Sequence, residues 1–398
     1  MDTGARRAVP AKQPLTGAPD LARQAPGFVQ ALRIRIRLWR NRQIASPRFR
    51  SLLSRLPLLS AISHRKANNL FRLTSGFVHA QILLACVKCG LFEALEEKAL
   101  TCSALALRCG LPLEHMQSLL KQARRLDLVL AIEPDHWLLT DAGTVLAADR
   151  GLREMIRHHE MLYRDLADPS VLFRSDPRDT ELRRYWSYVR EQDPAKMGGD
   201  AVAPYSALMR ESQAMLADCI LASWDFRPYR RLLDIGGGEG AFLAAVGTRY
   251  PHLRLALFDL PAVTDLASRH LRDSRLSARS ELHGGDFSID VIPNTSDCVT
   301  LIRILCDHDD DRAEQILSNL HGHLAPGTQL IIAEATAGES EGGKLAALYF
   351  DAYFAAMGSG RCRSPQEIQH LLLRSGFRSV RTAPTTNPLL ATIVAGIR

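Results

Sequence analysis

From Arg230 onward, short apolar runs alternate with amphipathic stretches. Residues 232–235, 253–258, 299–302 and 330–333 read as buried strands. Between the last two, Ala313, Ile316, Leu317, Leu320 and Leu324 recur at three- and four-residue steps, a helix stopped by Ala325-Pro326-Gly327. Strands separated by helices predict an α/β, doubly wound, mostly parallel sheet of Rossmann-like type. Residues 379–382 and 389–395, flanking a Pro/Thr/Asn turn, predict an antiparallel edge hairpin. Upstream the pattern is helical. Residues 69–97 are strongly apolar and broken at Gly90-Leu91-Phe92. A short helix over 103–109, a turn at Gly110-Leu111-Pro112 and a second helix over 114–126 follow. In that second helix Met116, Leu119, Leu120, Ala123 and Leu126 share a face. Two short strands, Val129–Ile132 and His136–Leu139, turn at Pro134-Asp135, and Thr140-Asp141 opens another helix. This is a helix-turn-helix with a wing. Residues 151–224 read as mostly helical and carry Tyr163, Phe173, Tyr185, Trp186, Tyr188, Tyr205, Met209 and Met215. Taken singly these are core residues; taken together they wall an apolar pocket.

The 398 residues imply two or three domains at about 150 residues each. The expected divisions are 1–58, a basic extension; 59–150, the winged helix; 151–225, the helical pocket segment; and 226–398, the sheet domain. At 46% hydrophobic and 23% charged, the composition excludes a disordered or collagen-like chain. No run approaches about 18 uncharged apolar residues, so no membrane-spanning helix is expected. The first thirty residues lack an apolar signal core, so reduced thiols in the cytoplasm are expected. The net charge of +7 is local: residues 1–66 hold fourteen Lys/Arg against Asp2 and Asp20. Arg33, Arg35, Arg37, Arg40 and Arg42 alternate with Leu32, Ile34, Ile36, Leu38 and Trp39, a segment suited to anionic lipid or nucleic acid, or to solubility alone. Eight cysteines include one C-x-x-C pair, Cys86 and Cys89, with no second pair or spaced histidines, so no metal site is expected.

The chemistry concentrates at Asp234-Ile235-Gly236-Gly237-Gly238-Glu239-Gly240-Ala241. Gly236, Gly238 and Ala241 satisfy the G-x-G-x-x-G/A spacing after a strand and before a helix. Such glycines let backbone N–H groups approach a ligand, and the helix N-terminus favours negative charge. Asp259 falls 23 residues after Gly236, at the end of the second strand, where a carboxylate accepts bonds from ribose hydroxyls. Two adenosine cofactors fit, NAD(P) and S-adenosylmethionine. Gly284-Gly285-Asp286-Phe287 offers a carboxylate and a ring for adenine, and only 158 residues follow Gly240, too few for a second substrate domain. Both points favour the sulfonium cofactor, with substrate held by the upstream helices.

LLDIGGGEG, LALFDLP, GGDF, LIRILCDHDDD and LAPGTQLIIAEA, in this order, resemble the S-adenosylmethionine-dependent O-methyltransferases of the plant caffeate and bacterial polyketide type. More narrowly, HHEMLYRDLADP, PYSALMRESQ and YFDAYFAAMGSGRCRS are similar to the hydroxyneurosporene O-methyltransferases of purple photosynthetic bacteria, which methylate the tertiary 1-hydroxyl of acyclic carotenoids. The resemblance implies a winged-helix dimerisation domain and hence a homodimer. It implies that Gly236 and Gly238 pack against the methionine part of the cofactor, that Asp259 holds ribose, that Asp286 and Phe287 hold adenine, and that Arg303 stands for a family lysine. For substrate it implies a pocket with Tyr163, Tyr205, Met209, Asp351 and Met357. A membrane-dissolved polyene gives the arginine-rich segment a purpose, peripheral contact with an anionic membrane surface, inner or photosynthetic, from the cytoplasm.

One departure matters. The family's catalytic histidine falls at Cys306, giving Cys306-Asp307-His308, and one of its two helper glutamates falls at Cys362 while Glu334 keeps the place of the other. A thiol in an apolar setting has its pKa raised and makes a poor base. A tertiary alcohol is less acidic than a phenol, which titrates near about 10, so no side chain ionises it beforehand. The candidate proton acceptors are His308 and Asp307, with Glu334 nearby; His158 and His159 rank lower, as a pair expected to be solvated. The competing readings are a methyltransferase of a phenol or polyketide, a C-methyltransferase of a tetrapyrrole, and a winged-helix DNA-binding regulator. No nucleic-acid partner is expected on the main reading.

Overall fold

The computed structural model describes residues 27–54, 57–173, 180–186 and 213–398. They fall into two compact units that divide between Val78 and His79. The first contains α1 (Phe28–Ala45), α2 (Pro47–Ser54) and the beginning of α3 (Pro57–Lys88). The Arg/apolar alternation near residue 35 has a period of two, so on a helix it scatters both kinds of side chain around the axis. No residue of α1 is buried, and Phe28, Ile36 and Trp39 are all exposed. Helix α3 starts earlier than the apolar pattern from residue 69 predicts. Ser60–Lys88 runs unbroken, with a mean hydropathy of 1.5 over its most apolar window, and by length and composition alone it is sufficient to cross a membrane. Its Ser, Thr, Asn and His side chains, with Arg65, Lys66 and Arg72, interrupt the apolar run without interrupting the helix.

The second unit begins with the rest of α3, and Gly90, at φ 73°, supplies the left-handed residue from which α4 (Leu91–Leu95) restarts. There follow β1 (Leu100–Thr101), α5 (Cys102–Arg108), α6 (Leu113–Arg125), β2 (Val129–Ile132), β3 (His136–Leu139) and α7 (Asp141–Ala148). The three strands form an antiparallel sheet in the order β1-β3-β2, the expected wing. The apolar faces of α5 and α6 meet in a core around Phe92, Leu105, Met116, Leu120 and Val129. Helix α8 (Arg150–Asp165) is capped by Asp149, whose Oδ1 accepts from Leu152 N at 2.8 Å. Asp165, at its far end, accepts from Glu181 N and Leu182 N and so fixes the start of α9 (Glu181–Tyr185). The described part of α10 is Gln213–Ser223.

The large sheet comprises β4 (Arg231–Ile235), β5 (Arg254–Asp259), β6 (Ser280–Gly284), β7 (Cys298–Ile302), β8 (Gln329–Glu334), β9 (Arg378–Ala383) and β10 (Thr392–Ile397). Its order is β6-β5-β4-β7-β8-β10-β9. The first five are parallel, and β10 pairs antiparallel with both β8 and β9. The predicted hairpin is therefore real, with its second strand inside and its first at the edge. Strand β6 escaped the hydrophobic pattern because Ser-Glu-Leu-His-Gly is a polar edge strand. Helices α11 (Ala241–Arg249), α12 (Pro261–Asp273), α13 (Asp310–His323), α14 (Glu341–Met357) and α15 (Pro365–Arg374) complete the unit. One core packs around Phe226, Phe242 and Leu257, another around Phe258, Ile316 and Phe377. A third, around Leu162, Leu182, Trp186, Phe354 and Met357, ties α8 and α9 to α14. Each such large side chain contributes about 1.5–3 kcal/mol by leaving water.

Candidate active site

Strand β4 delivers the chain into a tight loop. Gly236 N donates to Phe258 O at 2.8 Å, and Gly236 and Gly238 take φ of 68° and 57°, conformations an L side chain rarely adopts. A Cβ at Gly236 would lie 2.4 Å from Ile304 Cδ1, whereas one at Gly238 would meet nothing within 4 Å, so the loop is packed on one side and open on the other. Asp259 ends β5 and is buried; its Oδ2 accepts from Gly238 N and its Oδ1 from Leu260 N, each at 2.7 Å. Burial pushes its carboxyl up to about 6. Below it Asp234 accepts from Thr300 Oγ1 at 2.6 Å through one oxygen, has no partner for the other, and is pushed by burial up to about 7. After β6, Asp286 accepts from Ser288 N at 2.9 Å and pairs with Arg312 at 3.0 Å, while the Phe287 ring reaches the side of Gly236. These residues fit an adenosyl group. The loop has open space over Gly238, and Asp259 is a buried carboxylate with few donors and lone pairs left for hydroxyls.

The segment after β7 joins this crevice to a second space. Ile304 packs under Gly236, and its neighbour Arg303 holds φ 57° while its N–H donates to Ala333 O at 3.0 Å. Arg303, Cys306 and Asp307 line an apolar cavity of about 240 Å³. Its other walls come from Leu152, Met155 and His159 of α8, Trp186, Met215, and Tyr349, Phe350, Tyr353 and Phe354 of α14. Tyrosine and phenylalanine one and four residues apart on α14 put four rings on one face. Arg363, fully buried, holds the turn: it donates to Leu305 O at 2.6 Å and His308 O at 2.8 Å and pairs with Asp310 at 2.8 Å. The cavity therefore has one greasy wall and one polar corner, next to the glycine loop.

Residues 192–378 match the O-methyltransferase domain family. The demethylspheroidene O-methyltransferase of Cereibacter sphaeroides is 39% identical over 90% of this chain and 94% of its own length. That of Rhodobacter capsulatus is 38% identical over 97% of this chain and 94% of its own. In fold, human N-acetylserotonin methyltransferase, solved with S-adenosylmethionine, superposes with a TM-score of 0.67 at 20% identity, covering 84% of this chain and 97% of that one. The pyocyanin biosynthetic protein PhzM does so with a TM-score of 0.70 at 22% identity, covering 84% and 99%. The chain belongs to the S-adenosylmethionine-dependent O-methyltransferases. The cofactor is S-adenosylmethionine, and both the dinucleotide reading and the DNA-binding regulator fall away.

Within this methyltransferase the predicted residues divide. Gly236, Gly238, Asp259, Asp286, Phe287 and the start of the Arg303 segment gather around one loop. Asp307 reaches the cavity. His308 does not: it is buried with its ring 6.3 Å from Phe287, on the cofactor side, and burial beside Arg312 lowers it to about 4. Glu334 is wholly buried behind Cys306, whose N–H it accepts at 3.0 Å; its other oxygen has no partner, and burial pushes it up to about 7. Burial raises the Cys306 thiol well above its ordinary value, which disfavours the thiolate. Of the predicted pocket residues, Tyr205 and Met209 lie outside the described residues. Asp351 is exposed and points back to Cys362 N at 3.4 Å, and Met357 is buried in the α8–α9–α14 core; neither lines the cavity. Both face away because α14 turns one flank to the cavity and the other to that core or to water. Tyr163 stands behind His159, ring centroids 6.1 Å apart. The expected solvation of His158 and His159 is also corrected: desolvation lowers both, His158 to about 4, because α14 packs over them.

Proposed function

We propose that the protein transfers the methyl group of S-adenosylmethionine to the tertiary 1-hydroxyl of an acyclic hydroxycarotenoid. The observation that carries this is the near-full-length similarity, at 38–39% identity, to two demethylspheroidene O-methyltransferases. The cavity supports it. Its volume of about 240 Å³ gives room for the end of a polyene rather than its whole length. Its rings suit a hydrocarbon chain, and its polar corner suits one hydroxyl.

In this reading Gly236 and Gly238 receive the methionine part, Asp259 the ribose, Asp286 and Phe287 the adenine, and Arg303 closes the crevice toward the cavity. When bound, the sulfonium supplies the methyl group as an electrophile and leaves as a neutral thioether. The protein's share is to hold the hydroxyl oxygen in line, to exclude water, and to take the proton as the oxygen–carbon bond forms. An oxygen gaining a methyl group becomes strongly acidic, so a neutral acceptor is sufficient. The proposal extends to a homodimer through the winged-helix region, supported by the exposed Leu70, Phe71, Leu73 and Phe77 of α3. It extends also to peripheral contact with anionic membrane through α1. Sedimentation tests the first and flotation with anionic vesicles the second. The function itself is tested by expression in a host that accumulates 1-hydroxycarotenoids: the pigments gain one methyl group on this reading, and unmethylated pigment contradicts it.

A further inference from the structure

Two histidine–tyrosine pairs cross from α8 to α14, and they differ in one respect. His158 Nε2 lies 2.7 Å from Tyr353 Oη, which in turn accepts from Trp186 Nε1 at 2.7 Å. Tryptophan only donates, so one lone pair of the Tyr353 hydroxyl is already taken by Trp186. The parallel pair is His159 Nε2 and Tyr349 Oη, also 2.7 Å apart, in which either atom can be the donor and for which no tryptophan donor is found among the described residues. Both members of this second pair line the cavity, beside Arg303 and Asp307, whereas His158 does not.

We propose that the cavity-lining pair receives the substrate hydroxyl and its proton: Tyr349 Oη accepts the hydroxyl hydrogen and passes its own to His159 Nε2. The idea rests on the methyltransferase reading above and assigns the acceptor that Cys306 leaves vacant. The bookkeeping closes. The substrate oxygen gains a bond to carbon and gives up its bond to hydrogen. Tyr349 ends neutral as it began, and His159 ends as imidazolium, its charge replacing the one lost from the sulfonium. The pocket therefore creates no new charge, which matters where charge is poorly solvated. Burial keeps His159 neutral and Tyr349 protonated beforehand, the states the relay needs. Groups facing the pair are Tyr163 and His158 on α8, Tyr353 on α14, and Arg303 and Asp307 after β7. The pair acts on substrate; the chain His158–Tyr353–Trp186 holds α8 and the end of α9 against α14.

Two measurements test this, one without turnover. Binding of the hydroxycarotenoid and of its hydroxyl-free analogue is followed by quenching of tryptophan fluorescence in the absence of cofactor. The wild type binds the hydroxylated form about fivefold to tenfold more tightly, and Tyr349→Phe loses that preference while still binding the analogue. In turnover, Tyr349→Phe and His159→Gln each lower kcat at least tenfold, with calorimetric cofactor affinity unchanged. Added imidazole restores part of the activity of His159→Ala, a rescue that a structural role does not give. Retained hydroxyl preference and kcat within twofold in Tyr349→Phe overturn the proposal, as does an Asp307→Asn variant that alone abolishes both. A wild type that does not methylate the carotenoid refutes the parent reading instead, and the binding preference then still decides the fate of the pair.

Discussion

The glycine loop and the α8–α14 wall both border the turn at residues 303–307, and they are built by different means. The loop works through backbone: three left-handed glycines, one strand-end carboxylate, and a helix that opens after the third of them, Gly240. Its parts sit within a few dozen residues of one another. The wall works through side chains that meet across long separations: His159 and Tyr349 are 190 residues apart in the chain, His158 and Tyr353 195. Chemistry carried by backbone geometry leaves a spacing in the sequence; chemistry carried by facing helices leaves only a helical period.

If that contrast is right, lesions in the shared turn damage both regions, while lesions in either alone stay local. The largest effect is expected at Arg363. Arg363→Met leaves the buried Leu305 and His308 carbonyls without their donor, while the half-exposed Asp310 keeps Arg361, and a denaturant titration should show a loss of about 2–4 kcal/mol. Next, Asp259→Ala removes the strand-end acid and frees Gly238 N; calorimetry should show about 100-fold weaker cofactor binding while the substrate-quench titration is unaltered. Third, Glu334 carries a pH dependence of definite sign. Its folded pKa, about 7, lies above the ordinary 4.5, so the native state keeps a proton that the unfolded chain has lost. Stability therefore falls as pH rises from 4.5 through 7, by up to about 3 kcal/mol, and is not recovered above it. Glu334→Gln should lose less stability than the wild type between pH 5 and pH 8; equal losses would contradict the assignment. The smallest effect is expected at Asp351. Being exposed and outside the cavity, Asp351→Ala should keep turnover within about twofold and stability within about 0.5 kcal/mol.

The same contrast explains what could be read from the chain. The alternation of strands and helices, the wing, the glycine loop and Asp259 were all legible, because period and spacing encode them. Strand β6 was not, since a polar edge strand has no apolar run. Nor was the unbroken α3, because polar residues and the charged Arg65, Lys66 and Arg72 interrupt hydropathy without breaking a helix. At the site, His308 looked like a base because it follows Cys306-Asp307, but a turn fastened by Arg363 swings it to the Phe287 side. His159 looked solvated because nothing near it in sequence covers it; its cover is α14. The one available signal was the Tyr349, Phe350, Tyr353, Phe354 rhythm, which marks an aromatic helix face without naming what it faces.

On the proposed function, the hydroxyl of an acyclic carotenoid is methylated while its chain is held against α14. The most direct measurement supplies purified protein with methyl-labelled S-adenosylmethionine and, in parallel, a 1-hydroxycarotenoid and a simple phenol. Label in the carotenoid fraction and none in the phenol is the expected result. Label in the phenol alone, with the carotenoid untouched, would contradict it.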